Sequence, residues 1–332
     1  MRRALFVYTL FFSAFGAKAQ YAPQAGLIGS DAISRTSSLF VGWANKCTVH
    51  RGYMNIADTS LGYASSGDSS LAVGPADGYV VSLGDSGIAV LTFSNPIYNG
   101  PGADFAVFEN GFANPADSEL AYLELGFVEV SSDGVHYFRF PATSLTQDTL
   151  QVSNATYMDA RSLHNLAGKY IEGYGTPFDL EELSGTPGLD IDNITHVRIV
   201  DVIGSIGEHA SLDSTGRKVN DPYPTPFPSC GFDLDAVGAI HLKTTAVNSI
   251  VDNVGITVYP NPTTDKILLS VNDLYKNGIT AVLTDMTGKI LQRMNLTQKN
   301  NEILVSQYQS GVYFIILQDT NDNRWVERIT KL

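Results

Sequence analysis

Between Tyr79 and Leu242 the chain sets short runs of β-branched and aromatic residues against clusters of Gly, Pro, Asn, Asp and Ser. That punctuation selects short strands and turns over long helices. Val80–Leu83 and Ile88–Phe93 flank Gly84-Asp85-Ser86-Gly87 and predict a hairpin. Further strands are expected over Asp104–Asn110, Leu125–Ser131, Tyr137–Phe140, Thr195–Val202 and Phe232–Leu242. Their spacing of about 8–12 residues predicts an antiparallel β-sandwich of jelly-roll type. Helix is sparse. Met158–Ala167, stopped by Gly168, is expected to form a short helix, and Asp179 to cap one turn at Leu180–Leu183. Residues 203–231 make a Gly/Pro-rich loop long enough to be functional, and Tyr223 and Phe227 within it point to an ordered one.

The 332 residues suffice for two domains, and 44% hydrophobic content supplies their cores. The formal charge of −13 excludes the basic surface that nucleic-acid binding requires. Residues 1–19 read as a signal peptide, with Arg2 and Arg3, an apolar run from Ala4 to Phe15, and an Ala17-Lys18-Ala19 cleavage site. Its removal takes away three basic residues and deepens the charge to −16. No later run reaches the ~18 apolar residues of a membrane-spanning helix, so no transmembrane span is expected in the mature chain. Export permits disulfides, and Cys47 and Cys230 are the one available pair. Two cysteines are too few for a Cys₄ zinc site.

Residues 20–243 are the expected cargo domain, residues 244–253 a linker without strand or helix pattern, and residues 254–332 a small all-β module. The module carries Tyr259-Pro260-Asn261-Pro262, then Thr287-Gly288-Lys289, then Ser310-Gly311-Val312-Tyr313-Phe314, and ends on Lys331-Leu332. Ile267, Leu269 and Val271 alternate as on one face of a strand. In order and content these blocks closely resemble the type A sorting domain of the Bacteroidetes type IX secretion system. The resemblance implies a small immunoglobulin-like β-sandwich. It also implies the type IX secretion machinery as partner, and delivery to the outer cell surface or the medium. Any activity then belongs to the cargo.

The cargo blocks Asn99–Phe112, Val128–Gly134 and Gly231–Val237 resemble a group of bacterial cell-surface proteins with a jelly-roll, galactose-binding-like domain. That resemblance implies fold and leaves function open. Some relatives accompany outer-membrane nutrient-uptake systems, including ones for corrinoids. The leading expectation is a non-catalytic binding protein for a glycan or other small ligand. The alternatives are an accessory of an outer-membrane transporter, a glycan hydrolase, and a structural or adhesion protein.

Four residues are candidate ligands for a structural calcium ion: Glu109 and Asn110 at one strand end, Asp233 and Asp235 on the last strand. Alternation places Asp233, Asp235 and Val237 on one face, and calcium takes 6–8 oxygens in loose geometry. Asp213-Ser214-Thr215-Gly216 and Asn220-Asp221 are weaker oxygen donors that lack the EF-hand spacing. Tyr98, Tyr122, Tyr223 and Phe227 are candidate sugar-stacking residues, because flat apolar rings pack on pyranose faces. Glu109, Glu124 and Glu129 are the carboxylates a hydrolase would draw on. The six histidines form no zinc motif, and the G-x-S-x-G, P-loop and Rossmann signatures are absent.

Overall fold

The computed structural model describes residues 21–243, 256–271, 278–319 and 324–332. The expected leader, and the expected linker at 244–253, lie outside the described residues. The chain divides into two compact units after Lys243.

The first unit is built on two antiparallel sheets. One runs in spatial order β1 (Ile33–Ser34), β15 (Tyr174–Phe178), β6 (Phe105–Glu109), β17 (Asp233–Ala239) and β2 (Gly42–Trp43), with β4 (Val81–Ser82) also pairing β17. The other runs β10 (Phe138–Arg139), β9 (Gly126–Ser131), β16 (Ile194–Asp201), β5 (Ile88–Ile97) and β3 (Lys46–His50), with β14 (Leu166–Ala167) beside β9. The long strands β5, β6, β9, β15, β16 and β17 alternate between the sheets along the chain, the hand-over of a jelly roll. Two small sheets flank them. One is β12 (Met158–Asp159), β8 (Asp117–Tyr122) and β7 (Phe112–Asn114); the other is β11 (Thr143–Ser144) with β13 (Leu163–His164).

Burial explains the sequence pattern. Phe105 and Val107 of β6 face the inter-sheet core with Leu91, Val128, Val130, Val197 and Ile199. Ala106 and Phe108 point the other way, yet Ile33, Phe40 and Trp43 cover them. A strand covered on both faces reads as a continuous apolar run, which is what Phe105–Phe108 shows. Phe105, Phe140 and Phe178 pack as a triangle with centroids 5.1–5.9 Å apart. Gly238 of β17 is obligatory where Phe40 lies across it, since a Cβ there would sit 2.6 Å from the ring.

Several local expectations are corrected. Gly84–Gly87 does turn, with Gly87 N donating to Gly84 O at 2.7 Å. The flanking strands nevertheless part, β4 to β17 and β5 to β3 and β16, so no hairpin forms. Residues 158–167 are no helix: β12, a 3₁₀ turn at Ala160–Ser162, β13 and β14 occupy them, because each short piece finds a strand to pair with. The turn at Leu180–Leu183 forms, capped by Asp179 as expected. A bulge between Leu234 and Ala236 breaks the alternation in β17. Leu234 and Val237 both reach the inter-sheet core, so Asp233, Asp235 and Val237 do not share a face. Cys47 and Cys230 are free thiols. Cys47 pairs with Leu91 in mid-sheet, whereas Cys230 O accepts from Gly84 N, beyond the end where His50 meets Ile88. Three residues of strand from Cys47 to His50 already span about 10 Å, past the reach of a disulfide. The 203–231 loop is tied down: Asn220 bonds Gln147 O and Leu150 O, and Asp213 accepts from Ser144 N, Thr215 N and Arg217 N.

The second unit packs a sheet of β18 (Ile256–Tyr259), β19 (Lys266–Val271) and β22 (Asn300–Leu304) with one of β21 (Ile290–Leu296), β20 (Ile279–Asp285), β23 (Gly311–Gln318) and β24 (Arg324–Lys331). Ile267, Leu269, Leu283, Ile303, Ile315 and Ile329 form its core. Asn261 of the Tyr-Pro-Asn-Pro block donates to Arg328 O at 2.6 Å and accepts from Thr330 N at 2.9 Å. The block is thereby tied to the last strand. Asp285 closes the Thr-Gly-Lys turn by accepting from Thr287 N and Lys289 N.

Candidate functional site

Two left-handed residues shape a cavity at one edge of the cargo sandwich. Asn165 has φ +50° and Gly168 φ +79°, and they bracket the two-residue strand β14. Asn tolerates this conformation and Gly is suited to it. At Gly168 any Cβ would lie 1.9 Å from Glu124 O. The double kink turns His164, Asn165 and Lys169 towards one cavity of about 280 Å³, walled by Phe178 of β15, Glu182 of the 3₁₀ turn and Asp31 of the N-terminal segment.

Most polar groups in the cavity are engaged. Asn165 Nδ2 donates to Glu182 Oε2 at 2.5 Å, and His164 Nε2 lies 3.8 Å from the same oxygen. Tyr170 OH donates to Asp31 Oδ1. Tyr21 stacks on the His164 ring at 4.7 Å, and burial lowers the pKa of that imidazole. Lys169 differs. It is 3% exposed, its ammonium lies 5.2 Å from the Tyr170 ring centroid, and among the described residues Nζ has no hydrogen bond or ion pair. Burial lowers its pKa, and Asp31 opposes the shift.

A second polar concentration lies beneath Tyr122. Glu109, Glu124, Asp201 and Asp221 are buried carboxyls whose pKa values burial drives well up; Asp233 is the largest neighbouring charge acting on Glu109 and Glu124. Asp85, Asp233 and Asp235 are pushed up to about 6, again mainly by burial. Asp201 is held by Phe232 N and Ser86 N, and Asp221 by Leu125 N. Glu109 Oε2 accepts from Gly111 N at 2.7 Å. Arg51, the base acting on Asp233, donates to the carbonyls of Ser66, Ser82 and Gly67.

The four expected calcium ligands divide. Glu109 and Asp233 are neighbours, and Asn110 Nδ2 donates to Asp233 Oδ2 at 3.2 Å. Asp235 is occupied elsewhere, accepting from Asp77 N and Gly78 N. Among the described residues no three His, Cys, Asp or Glu side chains make a ready metal cage. The expected aromatics are spread out. Tyr98 packs on His241, Tyr122 stacks on Phe112 at 5.0 Å, Tyr223 OH donates to Asn55, and Phe227 is half exposed. Glu129 is gripped by Arg139 at 2.8 Å and Arg198 at 2.5 Å.

The architecture is that of an exported two-domain β-protein whose second domain is bound to its own terminal strand. Residues 257–331 match the family model of the secretion system C-terminal sorting domain. The chain carries a type IX sorting domain and is delivered to the cell surface or extracellular space. No curated protein matches it. Among solved structures, Ruminococcus gnavus β-glucuronidase is similar at 12% identity and TM-score 0.18, over 74% of this chain and 35% of that one. A biofilm-associated protein BSP domain is similar at 11% identity and TM-score 0.21, over 74% and 48%. The chain thus spans under half the length of either, and likeness this low assigns no activity. Among the described residues no helix is long and apolar enough to cross a membrane.

Proposed function

We propose that the cargo domain is a non-catalytic receptor that holds one sugar residue of a glycan in the Lys169 cavity and presents it at the cell surface. The observation that carries this reading is the unpartnered Lys169 ammonium among engaged acids. A hydroxyl both donates and accepts, so a ring of hydroxyls can accept from Lys169 and donate to Asp31 and Glu182. Phe178, Pro177 and Ile33 supply an apolar wall for its C–H faces. About 280 Å³ suits a single ring and is several times too small for a corrinoid. An expected N-terminal leader would carry the chain to the sorting step.

The test is a glycan screen on the exported chain, followed by titration calorimetry of the hits. Lys169→Met should weaken binding at least tenfold while leaving the melting temperature near that of the parent. A hit that binds Lys169→Met as tightly as the parent would refute the reading, as would a screen without any saccharide hit.

A further inference from the structure

We propose that Tyr53 and Tyr63 form an oxidative modification site, at which a one-electron oxidant of the haem-peroxidase class, with hydrogen peroxide, joins the two rings into a dityrosine cross-link. The two residues face each other in an isolated antiparallel bridge. Ala64 N donates to Gly52 O at 3.0 Å and Met54 N to Gly62 O at 2.9 Å, one on each side of the bridge. The pair is therefore of the non-hydrogen-bonded kind, which brings facing side chains closest. On its other edge Tyr53 exchanges two bonds with Asp85, Tyr53 N to Asp85 O at 3.2 Å and Asp85 N to Tyr53 O at 2.8 Å, so its backbone is held on both sides. The rings stack with centroids 4.7 Å apart and planes 20° from parallel, and Tyr63 OH donates to Tyr53 OH at 3.4 Å. Tyr63 is 56% exposed, open to an oxidant in solution.

The chemistry balances between the pair and the peroxide. Each phenol gives up one electron and one proton, and the two together reduce one hydrogen peroxide to two waters. The unpaired spin of a tyrosyl radical is shared between the oxygen and the ortho carbons. Stacked rings with their hydroxyls side by side bring the ortho carbons of one close to those of the other. A bond forms between two ortho carbons, and their hydrogens move to the oxygens, restoring both rings and both hydroxyls. The product has lost two hydrogen atoms and closes the segment from Tyr53 to Tyr63 into a covalent loop. Tyr308 and Tyr313 are also neighbours, at 5.9 Å, but their hydroxyls part, one donating to Leu291 O and the other to Gln309 O. Delivery to the cell surface or extracellular space takes the Tyr53–Tyr63 pair away from the cytosolic thiols that would quench its radicals.

Treating the dilute exported chain with a haem peroxidase and hydrogen peroxide tests the proposal. Blue dityrosine fluorescence should appear in the monomer band of a denaturing gel. Cleavage before Asp58 and Asp68 puts Tyr53 and Tyr63 on separate peptides. After oxidation mass spectrometry should find those two peptides joined and lacking two hydrogen atoms. Tyr63→Phe keeps the stacked ring and removes one exposed hydroxyl, so it should melt with the parent; it should lower the monomeric product at least tenfold. Tyr53→Phe is the second variant and should do the same, whereas Tyr308→Phe should leave the yield unchanged. The proposal is overturned if Tyr63→Phe keeps the parent's yield, or if the joined peptides carry other tyrosines. It is also overturned if coupling occurs only between chains or not at all.

Discussion

Replacing Asp104 by Asn should destabilise the cargo domain by about 2–4 kcal/mol. Asp104 is fully buried and joins three parts of the chain. Its Oδ1 accepts from Gly100 N and His241 Nδ1, and its Oδ2 from Leu180 N, each at 2.7 Å. Asn keeps the shape but turns one oxygen into a donor. At best one buried N–H loses its acceptor and faces an NH₂ group, which costs about 1–3 kcal/mol, and charge-assisted bonds sit at the upper end. Burial raises the pKa of Asp104, so removing the charge returns part of that cost. With about 2–4 °C per kcal/mol for a domain of this size, the melting temperature should fall by roughly 5–15 °C. Asp104→Ala leaves all three donors bare and should fall further. Differential scanning calorimetry on the exported chain, following the larger transition, reads both. A melt within 1 °C of the parent for Asn, or Ala no worse than Asn, would refute the reasoning.

Asp85 is pushed up to about 6 by burial, so the folded state holds a proton the unfolded chain releases near pH 4. Its stabilising contribution is complete below pH 4 and is lost as pH rises through 6, which amounts to about 3 kcal/mol at most. Asp85→Asn keeps an acceptor for Ile56 N; denaturant titrations between pH 5 and 7.5 should show it flatter than the parent and more stable at the upper end. Cys47 and Cys230, both pushed up to about 12 by burial, should resist alkylation in the native chain and both label in denaturant without reductant. A Cys47–Cys230 peptide in a non-reducing digest would contradict the structure.

The main strands were readable because burial on one or both faces leaves a periodic or continuous apolar trace, as in β6, β9, β16 and the tail's β19. Local turn chemistry was less informative. Gly84–Gly87 makes its turn, but β4 and β5 take their partners elsewhere in the chain, β4 from the distant β17 and β5 from the distant β16 and the preceding β3. The 158–167 segment has helical length and a glycine stop, yet Asn165 and Gly168 serve as left-handed kinks, which no periodicity reports. The Lys169 cavity draws on Asp31, Phe178 and Glu182 as well, and nothing around Lys169 in the chain marks it. In the acid cluster, Glu109 and Asp233 stood out by strand position. Glu124 was one carboxylate among several.

The bonds from Asn261 to Arg328 and Thr330 have a consequence for timing during synthesis. The Tyr-Pro-Asn-Pro block leaves the ribosome about 70 residues before its partners do, so the folded address is assembled only when β24 has been made. A ribosome that stops early releases a polypeptide bearing every earlier part of the signal and lacking the strand that closes it. Export that reads the closed form would therefore act as a proofreading step, passing only molecules translated through to Thr330.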